Sequence, residues 1–176
     1  MKIEVTRDTF RLAQVFTISR GSRTEAQVLT VYVRDGGMTG WGECVPYARY
    51  DETLDSVAAQ IEGLPGDLTR DGLYGLLPAG AARNAVDCAL WDLEAKRAGR
   101  RAWELAGLPA PGPEITAYTL SLDSPGAMQA QAAKHAHRPL LKIKLGTPDD
   151  MPRLEAVRRG APGARIIVDA NEGWSA

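Results

Sequence analysis

Strand-type and helix-type segments alternate over residues 115–171, and this alternation constrains the fold more than any other feature of the sequence. The strand-type segments are ITAYTLSL (115–122), LLKIKLG (140–146) and ARIIVDAN (164–171). The segments between them, 124–136 and 148–161, have helical composition. Two parallel strands need a crossover of this length between them. The pattern therefore predicts βαβ units with a parallel sheet.

The residues before this alternation carry an antiparallel pattern. Four β-rich runs lie in this part of the chain: 2–6, 13–20, 27–34 and 38–43. Asp35-Gly36-Gly37 separates the last two runs and is typical of a hairpin turn, because glycine tolerates positive φ. Helical spacing follows over 54–61, with Asp51 or Thr53 as the N-cap, and again over 78–99. This pattern predicts an antiparallel sheet with helical partners.

A domain boundary is expected at the break APGPE (110–114). We predict an α+β domain over 1–113 and a second domain over 114–176 with three strands and two helices. The second domain ends directly after its third strand, which leaves one edge of a normally buried kind of sheet open. We therefore expect the chain to be truncated.

Charge and composition exclude two classes of partner. The chain has 21 Lys+Arg against 22 Asp+Glu, without basic blocks, so neither nucleic acid nor an anionic membrane is expected. No window approaches the roughly 18 apolar residues of a membrane span. The two cysteines, Cys44 and Cys88, form no metal or disulfide pattern and are interpreted as small buried thiols of a reducing compartment. We expect a cytoplasmic protein.

The second strand of the alternating part carries a K-x-K motif. Because side chains alternate across a strand, Lys142 and Lys144 share one face, and Leu141, Ile143 and Leu145 share the other. If the apolar face packs under helices, the lysines point to the opposite side of the sheet, where a buried lysine can serve as a general base. Two solvated lysines on an edge strand are the alternative.

The third strand ends at Asp169. The run Ile166, Ile167 and Val168 is typical of a buried parallel strand, and open sheets and barrels place ligands at the carboxyl ends of such strands. Asn171 shares the face of Asp169, and their oxygens suit a hard cation such as Mg²⁺. The alternative is that Asp169 caps a helix and Asn171 forms a turn.

These features resemble the enolase superfamily, in its muconate-lactonising-enzyme-like subgroup. Three segments of the first domain are similar to bacterial L-Ala-D/L-Glu dipeptide epimerases: FTISRGSRTEA (16–26), GWGECVPYARYDET (40–53) and LPAGAARNAVDCALWDLEAKR (77–97). The resemblance implies an α+β capping domain followed by the first three strands of a (β/α)8 TIM-type barrel. It also implies a Mg²⁺-dependent isomerase, a racemase or epimerase of cell-wall peptide metabolism.

The resemblance implies roles for residues of the second domain. Lys144 would be the acid/base on one face of the substrate α-carbon, and Lys142 would support it and contact the carboxylate. Asp169, with Asn171 nearby, would be the first of three carboxylates that bind Mg²⁺, which stabilises the enediolate formed when the proton leaves. The family has its second lysine and remaining carboxylates on later strands. We therefore expect the 176-residue chain alone to be inactive.

The resemblance also implies a substrate, a small acidic dipeptide. Arg20 and Arg23 suit the side-chain carboxylate of a glutamate, and the sequence does not choose between them. The other implied binding residues are Tyr47, Arg49 and Tyr50, which would close over the substrate, and Thr119, which faces the site if Ala117, Thr119 and Ser121 form the inward set of the first barrel strand. The sequence leaves open whether the protein forms a homo-oligomer.

Several other functions share these motifs. The K-x-K motif and the D-A-N motif of residues 169–171 indicate a class of mechanism. Another amino-acid racemase, a cycloisomerase and an o-succinylbenzoate synthase use the same groups and are therefore alternatives. A non-catalytic fragment or interaction module is the alternative from outside the enzymes. The loops of the first domain favour the dipeptide.

Overall fold

The computed structural model describes residues 1–18, 21–148 and 150–174. The chain divides into two compact units, one of Met1–Phe10 with Ala26–Pro111 and the other of Arg11–Glu25 with Gly112–Ala176. The expected boundary at residue 113 stays a prediction, and the contacts differ from it by grouping residues 11–25 with the second unit.

The first sheet has three strands in the order β1-β2-β3. Its strands are β1 (Lys2–Ile18), β2 (Gly21–Asp35) and β3 (Met38–Cys44). β2 and β3 pair antiparallel, from Leu29 opposite Cys44 to Asp35 opposite Met38, which confirms the predicted hairpin. β1 is continuous, whereas the sequence predicted two separate β-rich runs there. The prediction left a gap at residues 7–12 because this segment, RDTFRL, is rich in charged residues and resembles a loop when it is considered alone.

Four α-helices accompany this sheet: α1 (Leu54–Glu62), α2 (Arg70–Leu76), α3 (Ala81–Ala98) and α4 (Ala102–Leu105). Thr53, one of the two expected N-caps, caps α1, because its side chain accepts a hydrogen bond from the Ser56 N–H at 3.0 Å. α2 was not predicted. It is short, contains two glycines, and is held by the Thr69 cap and by the fully buried Leu73.

A close contact between β3 and α3 organises the core of the first unit. A Cβ added to Gly40 would lie 2.0 Å from the Ala89 carbonyl oxygen, and one added to Gly42 would lie 1.9 Å from that of Ala85. The strand backbone therefore lies directly on the small residues of the helix. Leu29, Val31 and Val33 of β2 are fully buried in the same core.

The second unit confirms the predicted alternation of strands and helices. Its elements are β4 (Tyr118–Leu120), α5 (Pro125–Lys134), β5 (Leu140–Lys144), α6 (Asp150–Gly160) and β6 (Arg165–Asp169). The strands are parallel and lie in the order β4-β5-β6. The apolar face of β5 packs under the two helices, with Leu141 and Ile143 fully buried against residues such as Met128 and Val157.

The prediction that Ile166, Ile167 and Val168 are buried is wrong for two of the three residues. Ile167 is 41% exposed and Val168 is 40% exposed, whereas Ile166 packs against the core. Among the described residues, β6 has one strand neighbour and forms an edge of its sheet. An apolar run indicates the kind of strand, but the number of neighbouring strands determines its burial.

The two cysteines differ in their exposure. Cys44 is buried as expected, but Cys88 is exposed on α3, so the interpretation of both as buried thiols is wrong for Cys88.

Within the described ranges, no helix has the length and apolar composition that crossing a membrane requires.

Candidate active site

Two lysines and one aspartate meet at the carboxyl ends of β5 and β6. Lys144 Nζ lies 2.7 Å from Asp169 Oδ2, and Lys142 Nζ lies 2.9 Å from the same oxygen. Lys144 is nearly buried, with 11% of its side chain exposed, and Lys142 is more open at 33%. The structure thus brings together the three charged residues that the sequence singled out in this unit.

Strand register explains this convergence. Lys144 is the register partner of Asp169, and Lys142, two residues earlier, is the register partner of Ile167. Since the side chains of paired positions in a parallel sheet point to the same face, both lysines lie on the face of Asp169 and opposite the buried Leu141 and Ile143. The prediction of two lysines that share a face away from the helices is confirmed.

The charges around Asp169 favour its ionised form. Hydrogen bonds from Lys144 and then Lys142, followed by one from the Asn171 backbone N–H, hold the pKa of Asp169 well below its usual value, although burial opposes this shift. The Asn171 N–H donates to Asp169 Oδ1 at 2.9 Å. One carboxylate oxygen therefore accepts from two ammonium groups and the other from the backbone.

Asp169 fits one part of a metal site. An ionised carboxylate at the end of a parallel strand is a ligand of the kind that a hard divalent cation requires. In residues 1–18, 21–148 and 150–174, however, no group of three or more His, Cys, Asp or Glu side chains could hold a metal ion. The described part of the chain thus supplies one carboxylate of such a site, with Asn171 next to it.

Within the second unit, the end of β1 is hydrogen-bonded to the segment that follows β4. The Thr17 N–H donates to Ser121 Oγ at 2.6 Å, and the Leu122 N–H donates to the Thr17 carbonyl oxygen at 3.1 Å. Ser121 is buried and directly follows β4, and Thr119 of β4 lies in register with Lys142. Thr119 therefore shares the face of the lysines, as expected. The contact between Ser121 and Thr17 was not predicted, because it joins residues 104 positions apart.

The two arginines predicted to bind a substrate carboxylate are Arg20 and Arg23. Arg23 lies near the start of β2 and is exposed. Arg20 lies outside the described residues. Their assignment to a substrate carboxylate stays a prediction.

The loop that carries Tyr47, Arg49 and Tyr50 belongs to the first unit. Ala48–Tyr50 form a single turn of 3-10 helix, and the rings of Tyr47 and Tyr50 are 5.8 Å apart. Arg49 and Tyr50 are exposed. Their predicted contact with a substrate stays untested, but the loop has a defined conformation.

Glu52 anchors this loop, and sequence reasoning missed it. Its Oε1 accepts from the Ala81 N–H at 2.6 Å, and its Oε2 accepts from the Tyr47 N–H at 3.2 Å. The N-cap residue of α3 is Gly80, which has no side chain to cap the helix. Glu52 thus takes the place of a cap from 29 positions away and brings negative charge to the positive end of the α3 dipole.

Comparison with known sequences relates the chain to one protein family. Residues 1–107 match the family described as mandelate racemase / muconate lactonizing enzyme, N-terminal domain. The chain is 44% identical over 180 residues to the L-Ala-D/L-Glu epimerase of Escherichia coli K12, and this match covers 99% of the chain and 56% of that relative.

Two solved structures are similar over nearly the whole chain. One is an enolase family member from Agrobacterium tumefaciens with homology to dipeptide epimerases, solved with sodium and L-Ala-L-Glu; it is 56% identical with a TM-score of 0.93, over 98% of this chain and 54% of that one. The other is the dipeptide epimerase of Cytophaga hutchinsonii complexed with Mg and D-Ala-L-Val; it is 28% identical with a TM-score of 0.87, over 98% and 52% of the two chains.

The chain spans about half the length of the relatives that it matches. The comparisons confirm the predicted fold class, an α+β capping domain followed by the first three strands of a (β/α)8 barrel. On the match of residues 1–107 and the geometry of K-x-K with D-A-N, the chain belongs to the mandelate racemase / muconate lactonizing enzyme family of the enolase superfamily.

Proposed function

We propose that the full-length gene product containing this chain is a dipeptide epimerase that acts on L-Ala-L-Glu or a closely similar acidic dipeptide. The observation that carries the proposal is the meeting of Lys142, Lys144 and Asp169 at one strand end. Relatives with dipeptide epimerase activity support it, and so does the structure of a relative with bound L-Ala-L-Glu. The cytoplasmic location stays a prediction of the sequence, which leaves the oligomeric state open.

Lys144 is the proposed proton acceptor. In its neutral form, its amine takes the proton from the substrate α-carbon, and the electron pair of the broken C–H bond moves into the adjacent carboxylate. Lys142, on the same face, is placed to contact that carboxylate and adds positive charge beside it. A second acid must return a proton to the opposite face, since return along the same path would restore the original configuration.

Asp169 is the residue that would hold a divalent cation, which we propose to be Mg²⁺. When bound, such a cation stabilises the negative charge that develops on the substrate carboxylate. A relative solved with Mg and a dipeptide supports this assignment. Because the described residues bring together one such carboxylate and one pair of lysines, we propose that the 176-residue chain does not epimerise dipeptides by itself.

The test of this function is exchange at the substrate α-carbon. The full-length product is incubated with Mg²⁺ and L-Ala-L-Glu in D₂O, and proton NMR follows both the loss of the glutamate α-proton signal and the appearance of L-Ala-D-Glu. We expect both to occur, and to stop when a chelator removes the metal. Exchange without a change of configuration would contradict epimerisation and indicate a one-base reaction. Absence of both would contradict the proposed function.

The acidic substrate has its own test at Arg20 and Arg23. Each is replaced separately by Met, which keeps length and apolar volume but removes the charge and the bidentate donors. One replacement should lower kcat/KM for L-Ala-L-Glu by roughly 10- to 150-fold, the effect of a lost charge-assisted hydrogen bond of about 1.5–3 kcal/mol. The other should have little effect.

An uncharged dipeptide is the matched control for this pair of variants. L-Ala-L-Leu never uses the arginine, so the loss should be much smaller for it. Equal losses on both dipeptides, or no loss in either variant, would contradict an arginine contact with the acidic side chain and leave only the reaction type.

A further inference from the structure

Asp150 lies at the start of α6 and is almost completely buried, with 7% of its surface exposed. Its Oδ2 accepts three N–H donors: the Gly146 backbone at 2.8 Å, the Thr147 backbone at 3.0 Å and the Trp174 indole at 2.6 Å. Burial alone would raise the pKa of Asp150, but the hydrogen bonds from Trp174, Gly146 and Thr147 outweigh it and hold the pKa below its usual value. The Asp150 side chain is therefore an ionised carboxylate whose Oδ2 accepts hydrogen bonds from all three donors.

These donors come from two different loops. Gly146 and Thr147 follow β5, and Trp174 follows β6. The loop backbones are also in direct contact, because a Cβ added to Gly173 would lie 2.6 Å from both the Cα and the carbonyl oxygen of Gly146. Asp150 thus links the loop that follows β5 to the loop that follows β6 through hydrogen bonds to both.

Both loops begin at the site. Gly146 is two residues after Lys144, and Trp174 is five residues after Asp169. Between Asp169 and Trp174, the backbone passes through two successive left-handed residues, Asn171 at φ 49° and Glu172 at φ 61°. Residues with a Cβ adopt this region at a cost, and the Gly173 N–H donates to the Ala170 carbonyl oxygen within the turn at 2.9 Å. The hydrogen bond from Trp174 to Asp150 adds support from outside the turn.

We propose that Asp150 is a positioning residue, which acts through Gly146 and Trp174 to fix the loop of Asp169 against the strand of Lys144. Among residues 1–18, 21–148 and 150–174, no hydrogen bond joins Asp150 to either lysine or to Asp169, so its effect on them is transmitted by the two loops. The part of this proposal that concerns turnover rests on the proposed function, and the part that concerns loop order does not.

Hydrogen exchange measured by NMR in the full-length product tests the loop order. Asp150→Ala and Trp174→Phe are compared with Trp41→Phe, which alters a tryptophan of similar exposure on β3. In both test variants, the amides of Asn171 and Gly173 should exchange roughly tenfold faster than in the wild type, because the opening of their turn becomes easier. In Trp41→Phe they should be unchanged. A residue that merely capped α6 would affect Gly146 and Thr147 alone.

Steady-state kinetics on L-Ala-L-Glu test the consequence for the site. Trp174→Phe should lower kcat roughly tenfold with KM within about twofold, since misplacement of reacting groups reduces turnover more than binding. Asp150→Asn keeps a carbonyl oxygen for the three donors and should retain most of kcat, in contrast to Asp150→Ala.

Each outcome supports or overturns the proposal. Unchanged exchange at Asn171 and Gly173 in Trp174→Phe overturns it, whether or not Asp150→Ala folds. Faster exchange with unchanged kcat overturns the link to the site. If the wild type shows no epimerisation while the two amides still exchange faster, the proposed function fails and the role of Asp150 in ordering the loop stands.

Discussion

The two sheets of the molecule differ in what fixes their side chains. In the first unit, β3 lies on α3 through backbone and small residues, with Gly42 directly against Ala85. In the second unit, the face of β5 opposite the helices carries Lys142 and Lys144, both paired with Asp169. Shape therefore limits substitution in the first contact, and charge limits it in the second.

Because of this difference, we expect the first contact to determine stability and the second to determine the reaction. A change of volume at the β3–α3 contact should unfold the protein without any direct effect on a reacting group. A change of charge on the β5 face should affect the reaction more than the fold, because Lys142 is partly exposed and both lysines share Asp169 as their partner.

Loss of the Lys144 amine should have the largest effect. Lys144→Ala removes the proposed proton acceptor, so epimerisation of L-Ala-L-Glu in the full-length product should fall by roughly 10²- to 10⁴-fold. Asp169 keeps Lys142 and the Asn171 N–H as partners, and the variant should stay folded. NMR measurement of turnover, with circular dichroism of the same sample, checks both statements.

Lys144→Arg is the matched control for this prediction. The guanidinium keeps the positive charge beside Asp169 but does not release a proton near neutral pH, so this variant should be folded and nearly inactive. Near-normal rates in either variant would remove Lys144 from its assigned role. Unfolding of both would break the comparison, since the β5 face would then be essential to the fold.

Gly42→Ala should have the largest effect on stability. The new methyl group would lie 1.9 Å from the Ala85 carbonyl oxygen, and neither backbone can move away without disrupting the core. We expect a loss of about 3 kcal/mol or more in the free energy of unfolding, measured by urea denaturation. Gly75→Ala is the control, because an added Cβ in α2 meets nothing within 4 Å and should stabilise the helix slightly. Equal effects at both positions would contradict the close contact.

Features that depend on neighbouring residues could be predicted from the sequence. The shared face of Lys142 and Lys144 follows from the period of a strand, and the cap at Thr53 follows from its position before an amphipathic helix. The alternation of strands and helices predicted the parallel sheet for the same reason. In each case, the signal lies within a few residues of the structure that it specifies.

Features that depend on distant contacts were missed or wrong. Glu52 caps α3 across 29 positions, and Trp174 reaches Asp150 across 24, and neither contact leaves a local pattern. The apolar run in β6 predicted burial, but the neighbours of the strand determine the exposure of Val168. Sequence reasoning therefore found the charged residues of the site but not the residues that hold its loops.

Asp169→Asn should have a moderate effect that depends on pH. The lysines lower the pKa of Asp169 in the folded state, so its charged form stabilises the fold above the ordinary aspartate value of 3.8 and this contribution is lost as the pH falls. Near pH 7, the variant should be less stable than the wild type by about 1–2 kcal/mol, because two ammonium groups lose their shared partner. Urea denaturation should show this difference constant above the ordinary aspartate value of 3.8 and shrinking as the pH falls below it. A difference that stays constant or grows below that value would contradict the ion pairs.

Glu52→Ala should have the smallest effect, and it tests how much one charged contact contributes to the stability of the first unit. The substitution removes the acceptor of the Ala81 and Tyr47 N–H groups, and the loss should be about 1 kcal/mol in the free energy of unfolding, as for a deleted helix cap. Glu52→Gln keeps an acceptor oxygen but not the charge, so the difference between the two variants measures the interaction with the α3 dipole. Glu62→Ala, an exposed residue at the end of α1, is the control and should change little. If Glu52→Ala cost more than Gly42→Ala, a charged contact rather than close packing would dominate the first unit, and the distinction between the two sheets would have to be abandoned.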